Sequence, residues 1–273
     1  MYQFIYDLKP ELNGQLPAFN GHLVYATYLN LISIEKPTLA EKLHTLKKIS
    51  PLAITALRPI GRKAEIIQGF MKIRMDTIYR TSITILDDNM TELIDIFGTL
   101  SNIRIKLGLI PFIVSGLQVK YVPYKTHVEE HAKYKSLIRV HFLTPTQLSI
   151  RESRQPVILP RPELILNNLA RIWNSFSGIN VDSTTLYEWC EKNVYVREVD
   201  IVSREVDIGK KVKQVGFKGH VAFRVNEGDY AEWINILLKF GEFSNVGVKR
   251  TFGMGVIQVI NTKTTNNRRN ALI

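Results

Sequence analysis

Six histidines are this chain's main stock of groups that titrate near neutrality, and their neighbours decide what each could do. His44 stands in Thr38–Lys48, where Leu39, Leu43 and Leu46 recur at helical spacing and mark a buried stripe. His44 lies off that stripe, and Lys47 and Lys48, three and four residues on, share its face. Such a helix presents an imidazole that can move a proton beside cations that can hold a phosphate. The same spacing equally fits a solvated histidine.

The other histidines read differently. His22 stands early in a helix, beside Asn20 and Gly21, where it could contact a nucleic acid or simply mark the helix start. His141 alternates with Arg139 and Leu143 against Ile138, Val140 and Phe142, so Arg139 and His141 share one face of a strand. That face is either a nucleic-acid contact or a solvated sheet surface. His220 sits in Gly216–Phe223, loosely like the RNP1 stacking motif but broken by one residue. His127-Val128-Glu129-Glu130-His131 fits the H-x-x-E-H pattern that holds zinc when a helix buries it. Its lysine- and tyrosine-rich flanks read as an exposed linker. The chain has no Cys/His cluster, P-loop, dinucleotide-binding glycine pattern or Gly-x-Ser-x-Gly elbow, so neither metal nor other cofactor is expected. The single cysteine, Cys190, has no disulfide partner within the chain and reads as a small buried residue in a reducing compartment.

Charge points to the partner. Of 273 residues, 36 are Lys or Arg and 25 Asp or Glu, a formal net charge of +11. The basic residues are spread along the chain and not concentrated on one amphipathic helix, which favours a nucleic acid over a membrane. There is no apolar run of membrane-spanning length and no signal-peptide pattern, so a cytoplasmic protein without a membrane partner is expected.

The elements that would carry these residues follow from period. Alternating segments predict strands at Tyr2–Lys9, Leu52–Arg58, Ile66–Met75, Thr77–Leu86 and Phe112–Tyr121, then at Leu137–Phe142, Tyr195–Ile208, Val215–Val225 and Val256–Ile260. Helical spacing marks Gly21–Ile32, Thr38–Lys48, Thr91–Leu107, Pro162–Phe176, Thr184–Glu191 and Tyr230–Phe240. Each half therefore reads β-α-β-β-α-β. The expected fold is α+β: two tandem ferredoxin-like (RRM-like) domains with antiparallel sheets, over residues 1–131 and 132–273, joined through the linker Pro123–Ser136.

The stretch Val246-Gly247-Val248-Lys249-Arg250-Thr251-Phe252-Gly253-Met254-Gly255-Val256-Ile257-Gln258-Val259, which follows the last helix and runs into the last strand, resembles the glycine-rich signature of the RAMP superfamily. In detail the chain resembles the CRISPR precursor-RNA processing endoribonucleases. Two further stretches agree: His141–Leu148, similar to the strand opening the second domain, and Leu16–Tyr25 with Pro37–His44, similar to the N-terminal helical region. Asn245 stands where the superfamily often has glycine, and Ser50 near where some members have a catalytic lysine.

The resemblance implies metal-independent cleavage of precursor CRISPR RNA. The 2′-hydroxyl attacks the neighbouring phosphate, leaving a 2′,3′-cyclic phosphate and a free 5′-hydroxyl. His44 would be the proton-transfer group, Tyr28 the tyrosine that family members use with it, and Lys47 or Lys48 the supporting cation. His22, Arg139, His141, Gly247, Lys249, Arg250, Gly253 and Gly255 would contact RNA, the glycines by leaving backbone N–H groups open to phosphate. Repeat RNA is the expected partner, with other Cas proteins of an effector complex as further ones, for a monomer or homodimer. The competing reading is a RAMP subunit that binds CRISPR RNA without cutting it.

Overall fold

The first strand shows how the chain builds its first layer. In β1 (Tyr2–Pro10), Phe4, Tyr6 and Leu8 point into the core while the residues between them are less buried. In the computed structural model, which describes residues 1–45, 49–150, 155–209 and 212–260, β1 is the centre of a five-stranded antiparallel sheet. Chain order continues with β2 (Gly14–Pro17), α1 (Gly21–Glu35), α2 (Pro37–His44), β3 (Leu52–Pro59), β4 (Ile66–Ile67), β5 (Phe70–Ile73) and β6 (Tyr79–Ile85). Then come α3 (Thr91–Gly98), β7 (Arg104–Leu107) and β8 (Ile110–Tyr121). The sheet order is β3-β6-β1-β8-β7, which is the ferredoxin-like arrangement with β7 added at one edge. Strands β2, β5 and β4 form a separate small sheet. Val24, Tyr28 and Ile32 of α1 and Leu93, Ile96 and Phe97 of α3 cover one face of the large sheet.

The second layer begins after α4 (Tyr124–His131). It runs β9 (Leu137–Thr146), β10 (Leu148–Ser149), β11 (Pro156–Val157), α5 (Pro162–Phe176), α6 (Ser183–Asn193), β12 (Val194–Asp207), β13 (Lys213–Val225), α7 (Ala231–Ser244) and β14 (Ile257–Ile260). Its sheet order, β12-β13-β9-β14, repeats the ferredoxin-like arrangement. The helix starts are set by sequence: Pro162 occupies the first turn of α5, and the Asp182 carboxylate accepts from the N–H groups of Thr184 and Thr185 to cap α6. Trp173, Phe240, Phe142 and Phe217 fill the core between helices and sheet. Full burial of each such side chain is worth roughly 1.5–3 kcal/mol.

Three expectations change. The helix over Thr91–Leu107 stops at Gly98; Asn102 takes φ 59°, and Arg104–Leu107 becomes an edge strand with Ile105 and Leu107 turned inward. The alternation Ile103, Ile105, Leu107 carried that signal inside an apparently helical window. Ile66–Met75 is a hairpin, because Gln68 and Gly69 adopt φ 48° and 82° as a tight turn. Within Pro123–Ser136, α4 buries Tyr124 and His127 against the second core, so this segment is packed and not exposed.

Candidate functional site

His44 occupies the last turn of α2 and is exposed, while Leu43 beside it is buried. Lys47 and Lys48 lie outside the described residues. Tyr28 stands elsewhere in its environment. It is 3% exposed, its ring packs 6.0 Å from Tyr6 and 5.4 Å from Phe97, and its hydroxyl is enclosed without a well-formed hydrogen bond. Burial pushes this phenol well above its ordinary pKa. The structure therefore gives His44 to solvent and Tyr28 to the core.

The glycine-rich loop wedges between the two layers. Gly21 lets α1 approach it so closely that an added Cβ would stand 1.8 Å from the Phe252 carbonyl oxygen. Phe252 packs on Tyr25, with ring centroids 5.3 Å apart. Asn245, at φ 56°, donates from Nδ2 to Ile54 O at 2.8 Å and to Arg250 O at 3.1 Å. Arg250 is 7% exposed and donates to Ser244 O at 2.7 Å and Ser50 O at 2.9 Å, tying the loop to the residues that lead into β3. Desolvation lowers its pKa to about 10. The expectation of free glycine N–H groups is not met. Gly247 donates to Asn168 Oδ1, Gly253 to Arg250 O and Gly255 to Pro145 O. The glycines serve close backbone packing: at Gly255, φ 69°, a Cβ would meet Val246 O at 1.7 Å. Lys249 is the exposed cation of the loop, 5.6 Å above the Phe252 ring.

On the outer face of the second sheet, His141 and His220 are register partners, and their rings stack at 3.9 Å and 17°. Desolvation, then His220 and Lys218, lower the pKa of His141. Arg139, on the same face, pairs with Glu198 at 3.1 Å. His22 lies against the tip of the β12–β13 hairpin; the Cβ that Gly209 lacks would stand 3.1 Å from its Cδ2. Its Nδ1 is enclosed without a partner, and desolvation lowers its pKa while Asp207 works against that. Beneath the hairpin, a cleft of about 700 Å³ separates the layers, with Arg58, Arg204, Lys213 and Lys218 among its walls. The stack of His220 on His141 was not legible in the sequence, because it forms across two strands far apart in the chain. Arg171, an exposed arginine on α5 with no motif around it, lines a second cleft beside the loop.

The H-x-x-E-H segment is helical, but His127 turns into the core, where its Nε2 meets Ile236 O at 3.0 Å among Trp173, Phe240 and Phe243. Among the described residues no three of His, Cys, Asp and Glu converge as metal ligands. Cys190 is fully buried and its thiol is pushed up to about 12. No helix among the described residues is long and apolar enough to cross a membrane.

Residues 140–257 match the family model described as CRISPR-associated endoribonuclease Cas6. Proteins of that description from two Mycobacterium tuberculosis strains, CDC 1551 / Oshkosh and ATCC 25618 / H37Rv, are 34% identical over 123 residues. That stretch is 44% of this chain and spans only 38% of the relatives' length. A Thermus thermophilus Cas6 product complex superposes with a TM-score of 0.75 at 21% identity, over 95% of this chain and 99% of that one. A second Cas6 product complex gives 0.71 at 20%, over 96% and 100%. At these identities the superpositions speak for the fold, the same tandem ferredoxin-like one described above. His22, Tyr28 and His44 precede the sequence-matched stretch. Over residues 140–257 the chain is thus similar in sequence to the CRISPR-associated endoribonuclease Cas6 family, and over nearly its whole length it shares the fold of solved Cas6 proteins.

Proposed function

We propose that this protein is an endoribonuclease that binds CRISPR repeat RNA and cuts precursor CRISPR RNA without a metal ion, in the prokaryotic cytoplasm. One observation carries the reading beyond family similarity. An exposed imidazole, His44, ends α2 only six residues before Ser50, whose carbonyl is held by Arg250 of the glycine-rich loop. The imidazole thus lies close along the chain to the point where the loop is anchored. In the reaction, a base removes the 2′-hydroxyl proton as the 2′-oxygen bonds to phosphorus. The bond to the 5′-oxygen breaks, and that oxygen takes a proton. The ends are a 2′,3′-cyclic phosphate and a 5′-hydroxyl. His44 moves the proton, and nearby cations, Lys47 or Lys48 among them, offset the charge gathering on the phosphate. The layer of residues 1–131 supplies the chemistry and that of 132–273 most of the grip, through Arg139, His141 and the loop.

The enclosed hydroxyl of Tyr28 favours a second reading, a RAMP subunit that binds CRISPR RNA without cutting it. Cleavage of synthetic repeat RNA in EDTA separates the two. Wild type cuts, a 2′-deoxy nucleotide at the cut blocks it, and His44→Ala slows it by about 10²–10⁴-fold with binding intact. Binding with no cleavage of any matched repeat leaves the subunit reading.

A further inference from the structure

Between α5 and the glycine-rich loop lies a cleft of about 320 Å³, bounded on its third side by Ile49 and Ser50. Among the described residues three cations line it, Arg171 from α5 with Lys249 and Arg250 from the loop, and no carboxylate does. Arg250 forms part of its wall while more than nine-tenths buried. It donates to two carbonyls, those of Ser244 and Ser50, which are neutral acceptors and leave its charge uncompensated. Several arginines elsewhere have carboxylate partners, among them Arg80 with Asp7, Arg104 with Glu11 and Arg139 with Glu198. Among the described residues none of the three cleft cations has such a partner. Asn168 adds a directed donor: its Oδ1 accepts from Gly247 N at 2.8 Å, which fixes the amide and leaves Nδ2 for another acceptor. A buried guanidinium without a counter-ion, two exposed cations at the rim and an oriented amide are the components of an anion receptor.

We propose that this cleft is the seat of an RNA phosphodiester on the strand being cut, held by Arg171 and Lys249 over the buried Arg250. The inference rests on the endoribonuclease reading. It deepens that reading by recruiting a residue of the second layer, Arg171, to a phosphate beside the segment that carries His44. The occupant is a phosphodiester and not a free nucleotide, because none of the described residues lining the cleft is aromatic and a base would have no ring to stack on. A phosphate contact of this kind positions RNA and reads no sequence.

The test uses the full chain and a 5′-labelled, 2′-O-methylated repeat RNA that cannot be cut, with affinity measured by anisotropy across a salt series. Wild type, Arg171→Ala/Lys249→Ala, Arg171→Lys and the control Lys125→Ala on α4 are compared, with melting curves to confirm folding. The double variant is expected to bind about tenfold or more weakly and to lower the salt slope by about one to two. It should also cut unmodified repeat RNA more slowly, with Arg171→Lys recovering part of the affinity and the control unchanged. Affinity within twofold and an unchanged slope in a folded double variant, with wild type still binding and cutting, overturns the phosphate seat and leaves the endoribonuclease reading standing. Wild type that binds but never cuts defeats that reading instead, while a weakened double variant would still locate the phosphate.

Discussion

Tyr28 and His127 show what burial does to a polar side chain. The Tyr28 hydroxyl gains no well-formed hydrogen bond in a core of Tyr6, Phe97 and Leu31. Removing such a group is neutral to stabilising by about 1 kcal/mol, since its desolvation cost goes with it. Tyr28→Phe should therefore melt no lower than wild type and cut repeat RNA within about threefold of it. A hundredfold loss of cleavage would put this hydroxyl in the reaction after all. His127 is held neutral, its pKa lowered to about 4 first by desolvation and then by His131, against the bond to Ile236. Between the unfolded value of 6.5 and 4, the unfolded chain takes up a proton that the folded chain refuses, so stability is full above 6.5 and falls as the pH drops. At about 1.4 kcal/mol per unit the loss approaches roughly 3 kcal/mol by pH 4. Urea midpoints should fall over this window, and His127→Gln should flatten the fall; an unchanged slope in the variant would assign it to other groups.

At the scale of elements, the junction of α1 with the glycine-rich loop decides how the layers meet. Alanine is ordinarily the better helix residue, by about 1 kcal/mol over glycine. At Gly21 the sign reverses, because the new methyl meets the Phe252 carbonyl and one of the two backbones must move. Gly21→Ala is expected to cost about 1–3 kcal/mol and to raise amide exchange across residues 249–256. Stability equal to wild type would show that the loop adapts freely. The sequence marks this loop by its glycines alone, and those suggest an open backbone that receives a ligand. The same residues are also what a backbone needs to thread between two others, and only packing distinguishes the uses. The strand Arg104–Leu107 was legible in its alternation but lost in a longer apolar window, whereas α5 and β1 were plain because their periods are unbroken.

Across the whole molecule, the +11 charge is not uniform in meaning. Arg80, Arg104 and Arg139 have carboxylate partners and add little free potential, while Arg171, Lys249 and Arg250 gather at the seam without one among the described residues. The tandem design creates that seam: β3 at one edge of the first sheet meets the loop before β14 at one edge of the second, so each layer supplies one wall. The histidine stack at His141 and His220 lies on the outer sheet face, and α4 ties the start of the second layer to α7 through Asn235 and the His131 carbonyl.

What the sequence determined by itself was whatever depends on neighbours along the chain. That covers the helical and alternating periods, the β-α-β-β-α-β order in each half, the basic balance, and the glycine-rich stretch with the family it resembles. Tertiary structure alone decided which polar groups face water. The resemblance implies that Tyr28 and His44 act together, yet one lines a core and the other the surface. Lys249 and Arg250 are adjacent in sequence, yet one is exposed and the other buried. Arg171 gained its place only when α5 was laid beside a loop some eighty residues later, because a site's charge is summed over space and not over sequence.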